Sequence, residues 1–141
     1  MSETFDERSA GIVLFSENSG QKKFLLLHYP SGHWDFIKGR IEKDEQPKEA
    51  AIREAREETG ITDIEFIEGF EERIQYTYQF DKKPVHKQVI FFLAKTKTTD
   101  VEISDEHLDY SWLEFDDALK KTTYQNAKDL LKKSKMLAFA S

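Results

Sequence analysis

Apolar positions recur along this chain with two different spacings. "AGIVLFS" (10–16) and "KFLLLHY" (23–29) are short, nearly continuous apolar runs, and "ENSGQ" between them gathers turn residues. They are expected to pair as a hairpin. "YPSGHWDFIKGR" (29–40) holds Pro30, Gly32 and Gly39 and reads as a loop. From Pro47 to Thr59 the spacing becomes helical. Proline suits the first turn, and Gly60 is placed to end the helix. Strands are expected near 71–80 and 86–96, with "DKKP" turning between them. A short strand is expected near "YSWLEF" (110–115), and a last helix over roughly 123–139. Strands dominate the first two thirds, with one helix inserted and one at the end. This is an α+β or mixed-sheet α/β arrangement.

The length, 141 residues, fits one domain spanning 1–141 with a single core. A formal net charge of −6 disfavours binding to a nucleic-acid duplex or an anionic membrane, since both call for a basic footprint. An anionic small molecule stays open if cations gather locally. The absence of cysteine removes disulfides, thiolate metal sites and a cysteine nucleophile. The polar start "MSETFDERSA" lacks the apolar region of a signal peptide, and no apolar run approaches the ~18 residues of a membrane span. The cytoplasm is the expected compartment.

The 47–59 helix carries Glu54, Glu57 and Glu58, which share one face because residues three and four apart are neighbours on a helix. Ile52, Ala55 and Thr59 lie on another side, suited to packing on a sheet. The bland reading is a solvated acidic face. A like-charge pair at this spacing loses ~0.2–0.5 kcal/mol. Arg53 and Arg56 are expected to point to the flanks and relieve only part of the repulsion. A hard divalent cation would remove it, because clustered carboxylate oxygens are the ligands Mg²⁺ prefers. Spacing alone leaves both readings standing.

The wider pattern is more specific. Gly39, five residues, Glu45, seven residues, then Arg53-Glu54-Ala55-Arg56-Glu57-Glu58-Thr59-Gly60-Ile61 resembles the Nudix box. Ala55 stands where a larger aliphatic residue is common. The resemblance implies a Nudix-type α/β/α sandwich with a mixed sheet, and hydrolysis of a nucleoside diphosphate linked to another moiety. It implies that Glu54, Glu57 and Glu58 hold Mg²⁺ (with Mn²⁺ as a substitute), joined by the carbonyl of Lys38, and that Arg53 and Glu45 brace the loop and helix. Metal ions would neutralise the polyphosphate and acidify an attacking water, and a carboxylate would take its proton. Which glutamate is the base is left open.

"GHWDFIKGRIE", "EGFEERIQYTY", "KPVHKQVIFFLAKT" and "SDEHLDYSWLEFDDAL" are similar to segments of the asymmetrical bis(5'-nucleosyl)-tetraphosphatase subfamily, in the right order. That subfamily splits diadenosine tetraphosphate into ATP and AMP. Ile37 replaces a frequent proline, which implies a freer loop before Lys38. His33, with Trp34, Lys38 and Arg40, is read as a cationic mouth facing phosphates, and Lys87 as a further phosphate contact. Ile74, Tyr76, Tyr78 and Phe80 alternate along one strand face, which reads as core for most of them. Tyr76 and Tyr124 match positions that stack on bases. Glu106 matches an extra carboxylate reaching the metals from a loop, with Glu102 its nearby competitor. Trp112 reads as core.

Three rival readings remain. One is another Nudix activity, such as pyrophosphate removal from RNA 5′ ends. Another is a nucleotide sensor without turnover. The last is a scaffold with a solvated acidic helix. The oligomeric state is not encoded in these patterns.

Overall fold

The computed structural model describes residues 5–141; residues 1–4 of the polar start lie outside them. The elements are β1 (Glu7–Asn18), β2 (Gln21–His28), β3 (Trp34–Asp35), β4 (Ile37–Arg40), α1 (Pro47–Thr59), β5 (Glu65–Phe80), β6 (Lys83–Thr96), β7 (Asp109–Leu113), α2 (Phe115–Lys121) and α3 (Gln125–Ala140). β1 organises the sheet. Along one edge it runs parallel to β6. Along the other, its first half pairs antiparallel with β4 and its second half antiparallel with β2. β5 pairs with β6, while β3 and β7 pair with β2. The sheet is therefore mixed, as expected.

Alternation along β1 divides the core. Ala10, Ile12 and Leu14 face α1 through Ala50, Ala51 and Ala55. Val13 and Phe15 face α2 and α3 through Ala118, Leu130 and Leu131. Helices thus cover both faces, giving the α/β/α sandwich. Ala55 is fully buried against the sheet. Ile52 departs from expectation: it is partly exposed, and Ala50 and Ala51 take the sheet-facing positions with Ala55.

Both long hairpins close on two left-handed residues, Ser19-Gly20 and Asp81-Lys82. That geometry matches strand twist. The second turn is tighter than "DKKP", because Lys83 and Pro84 already belong to β6. α1 has the expected bounds. The Gln46 amide donates to Glu49 Oε1 at 3.0 Å, and Gly60 turns left-handed while its amide donates to the Arg56 carbonyl at 2.9 Å.

Two expectations fail. The 29–40 segment is not all loop: Ile37–Arg40 is a strand in register with β1, where Ile37 meets Ile12 and Lys38 meets Gly11. The isoleucine in place of proline is buried, so it anchors this segment rather than loosening it. The last helix stands where expected, as α3 (Gln125–Ala140), and a further short helix that the sequence did not announce, α2 (Phe115–Lys121), precedes it, with Thr122 at its end donating its hydroxyl to the Ala118 carbonyl at 2.7 Å. No helix of the described residues is long and apolar enough to cross a membrane.

Candidate active site

α1 presents its carboxylates at the end of the β1–β4 pair. Glu54 is half-buried, Glu57 exposed and Glu58 buried. Gly39 of β4 lies directly beneath Glu54, so close that a side-chain carbon there would overlap the carboxylate. The box glycine is thus a close-approach residue, and no left-handed backbone is involved.

Arg53 does more than the helix spacing suggests. Its guanidinium donates to both Glu45 oxygens at 2.8 and 3.0 Å, to Glu54 at 2.7 Å, to Glu57 at 3.2 Å and to the Arg40 carbonyl at 2.8 Å. Instead of pointing to a flank, it lies among the carboxylates and relieves Glu54 and Glu57 directly. The planar fork makes this possible. Glu45 accepts from the Glu42 amide as well, so Arg53 and Glu45 tie the loop before α1 to the helix. The Arg53 hydrogen bonds hold the Glu45 carboxyl below its ordinary range.

Glu58 has no such relief. Its carboxyl is pushed up to about 9, first by burial and then by the charges of Glu54, Glu106 and Glu57. Burial also raises Glu54. Glu58 Oε2 is buried with no hydrogen-bond partner. Among the described residues no three carboxylate or histidine side chains converge tightly enough to chelate an ion as they stand. Two of them are turned onto Arg53. The donor set nevertheless fits a hard divalent cation. It offers only carboxylate oxygens, their charges act on one another, and one buried oxygen is unpartnered.

Glu106 and Glu102 separate in the structure. Both side chains are exposed, but only Glu106 is among the charges that raise Glu54 and Glu58. Glu102 serves through its backbone, donating to the Thr59 carbonyl at 2.9 Å.

His33, Lys38, Tyr76, Lys87 and Tyr124 all line one cavity of about 860 Å³. Lys38 Nζ sits 3.1 Å from Asp35 Oδ2 and also acts on Glu58, which links the cavity to the carboxylates. Lys87 is half-buried; burial first, then Lys38, lower its pKa, and Glu7 opposes them. Burial likewise lowers His33. Tyr76 is 37% exposed and Tyr124 53%. Of the alternating Ile74, Tyr76, Tyr78 and Phe80, only Ile74 packs against the core as expected; Tyr76 and Tyr78 line the cavity beside it, and Phe80 is exposed. Two members of the expected mouth are elsewhere. Trp34 stacks flat on His28 at 4.5 Å with Lys121 over its ring, and Arg40 pairs with Glu7. Trp112 is partly buried against the α1-side core, its indole donating to the Thr99 carbonyl at 2.9 Å.

Sequence reading missed four residues. Asp35 is buried at the cavity wall against Lys38. Glu7 accepts from the Tyr78 hydroxyl at 2.6 Å and faces Arg40 and Lys87. His107 is buried beside Glu58. Tyr29 stacks on His33 at 4.6 Å and meets His107 edge-on at 4.6 Å, so its ring connects the cavity to the carboxylate end. Only the proximity of His107 to Glu106 in "SDEHLDY" offered a signal.

A family model described as the NUDIX domain matches residues 6–133. The asymmetrical bis(5'-nucleosyl)-tetraphosphatase of Caenorhabditis elegans is 36% identical over 129 residues, covering 89% of this chain and 92% of that protein. The enzyme of the same name from Rattus norvegicus is 38% identical over 136 residues, covering 88% of this chain and 90% of that one. A solved C. elegans Ap4A hydrolase binary complex superposes with a TM-score of 0.82 at 34% identity, covering 96% of this chain and 99% of that chain.

Proposed function

The chain belongs to the Nudix family of hydrolases, and from that membership we propose that it hydrolyses diadenosine tetraphosphate asymmetrically, to ATP and AMP, with Mg²⁺ at Glu54, Glu57 and Glu58. One observation carries the reading. Two exposed tyrosines and two lysines line a single cavity, and one of those lysines lies within electrostatic reach of the carboxylate cluster. A dinucleoside polyphosphate has matching parts: an aromatic base that can stack at each end and a run of phosphates between.

In this reading Tyr76 and Tyr124 stack on the adenine, and His33, Lys38 and Lys87 face the phosphates. A divalent cation, when bound, neutralises the polyphosphate and acidifies the attacking water. The Lys38 carbonyl joins the carboxylates as a ligand, and Mn²⁺ substitutes for Mg²⁺. Arg53 and Glu45 keep Glu54 and Glu57 in place. Glu106 reaches the cluster from its loop as a proton acceptor or added ligand, so Glu106→Gln slows turnover more than Glu102→Gln. Residues 1–141 act as a single domain in this reading.

Product analysis with diadenosine tetraphosphate, Mg²⁺ and ¹⁸O-labelled water tests the proposal. The substrate is anchored at one adenosine and water attacks the fourth phosphorus from it, breaking the bond to the oxygen shared with the third, so ATP leaves unlabelled and the label is expected in AMP. ADP as the main product would overturn the register. A substrate panel that favours triphosphorylated RNA 5′ ends would move the activity elsewhere in the family. Absence of turnover on every substrate would leave a binding protein.

A further inference from the structure

We infer that His107 is a positioning residue for Glu58: once Glu58 is ionised, its Nε2–H holds Glu58 Oε1 and leaves Oε2 to face the cation. This deepens the metal reading proposed above and rests on it. The two side chains are 1% and 4% exposed, and Nε2 lies 3.4 Å from Oε1, an ion-pair contact not aligned as a hydrogen bond while Glu58 is un-ionised. His107 Nε2 and Glu58 Oε2 have no hydrogen-bond partner among the described residues. A buried carboxylate and a buried ring nitrogen without partners are costly, unless each has a task.

Ser104 supplies the partner for the other ring nitrogen. Its hydroxyl oxygen accepts from the Glu106 amide at 3.3 Å and lies 3.3 Å from His107 Nδ1. One lone pair of that oxygen takes the amide, and in the inferred arrangement its own proton is donated to Nδ1. The ring proton is then on Nε2, aimed at Glu58. Tyr29 packs edge-on against the imidazole, with interplanar angle 76°, and limits rotation of the ring.

Backbone bonds hold the same unit. The Ser104 amide donates to the Glu58 carbonyl at 3.2 Å, and the Leu108 amide to the His28 carbonyl at 2.8 Å. Ser104 therefore grips Glu58 twice, through its own amide and through His107. The loop that carries Glu106 is locked to the end of the helix that carries Glu58. Outer partners of this kind fix a ligand's orientation, and their removal commonly costs ~10–100-fold in metal affinity.

The test has two readouts. ¹⁵N NMR of the histidine rings in the Mg²⁺-saturated protein, where Glu58 is ionised, should find His107 protonated at Nε2. A bare Nε2 with the proton on Nδ1 overturns the inference while leaving the metal reading intact. Calorimetric titration with Mn²⁺ should then show about 10- to 100-fold weaker binding for His107→Phe. His107→Gln, whose amide N–H reaches the Nε2 position, should recover most of the loss. Turnover of His107→Phe should fall in kcat with KM little changed. Wild-type Mn²⁺ affinity in a folded His107→Phe overturns the inference. If that variant does not fold, Ser104→Ala decides: it should weaken Mn²⁺ binding and shift the tautomer, and no change in either overturns the inference. Wild-type protein that binds no Mn²⁺ overturns the metal reading, and the inference with it.

Discussion

Gly39 and Glu54 occupy adjoining space: a side-chain carbon on the glycine would overlap the glutamate carboxylate. The β4 backbone is thereby one wall of the acidic cluster. Gly39→Ala must push Glu54 away, and Glu54 is held by Arg53, which also holds Glu45 and Glu57. A single methyl group should therefore disturb the whole brace. The expected result is a fall in kcat of tenfold or more, with a stability loss of ~1–3 kcal/mol typical of overpacking. Steady-state kinetics and thermal unfolding check it. Unchanged kcat would mean that Glu54 can move without consequence.

Glu58→Gln should have opposite effects on stability and activity. Burial and neighbouring carboxylates raise the Glu58 pKa from its ordinary value near 4.5 to about 9. An acid raised in the folded state disfavours folding once it must ionise. In the metal-free protein the penalty is absent below pH 4.5, grows as pH rises, and levels off above about 9. Glu58→Gln should therefore raise the metal-free Tm at pH 8 and have little effect at pH 4. Added Mg²⁺ should stabilise the wild type more than the variant, and the variant should lose most of its kcat. A lower metal-free Tm at pH 8 would contradict this account.

The cavity wall was harder to read in the sequence than the helix was. α1 is punctuated at both ends by Pro47 and Gly60, and its carboxylates stand at fixed box spacing, so its bounds and chemistry were legible together. The alternation of Ile74 to Phe80 showed a strand face but not what covers it. That face is left open beside the start of α3, so the tyrosines became lining. The 29–40 strands were obscured because Gly39 was read as a flexible residue, while its task is close approach. His107 carries no periodic signal. A buried histidine is recognisable only once the loop is seen folded onto Glu58.

Tyr76→Ala and Tyr124→Ala should separate binding from chemistry. Both residues are substantially exposed, so truncation should leave the Tm nearly unchanged. Stacking on a base contributes ~1–3 kcal/mol, so KM for diadenosine tetraphosphate should rise about tenfold in each variant while kcat moves less. Tyr76→Phe should behave like wild type, because the ring supplies the contact. A Tyr76→Ala protein with an unchanged KM would remove this residue from the binding surface.

The last prediction concerns an acid in a site built for an anion. Glu7 stands across from Lys87 in the β1–β6 register, and Lys87 stands across from Tyr76 in the β6–β5 register. The three form a row across the sheet on one face. Glu7 accepts from Tyr78 at 2.6 Å, pairs with Arg40 and lies 3.8 Å from Lys87. The Tyr78 bond is the largest influence on Glu7 and lowers its pKa below 4.5. A carboxyl depressed in the folded state stabilises the protein above its unfolded pKa. That contribution is lost as pH falls through the folded value. Glu7→Gln should thus lower the Tm at pH 7, and the gap to wild type should close as the pH falls through the lowered folded value. Glu7 also opposes the burial that lowers Lys87. Without Glu7 the lysine should lose its proton at a lower pH, so the alkaline rise in KM for the polyphosphate should begin earlier than in wild type. Tyr78→Phe is the control: it removes the strongest hydrogen bond to Glu7 but keeps the carboxylate charge beside Lys87. It should reproduce the Tm effect and leave the alkaline KM limb in place. If both variants shift that limb equally, Glu7 acts on Lys87 through packing and not through charge.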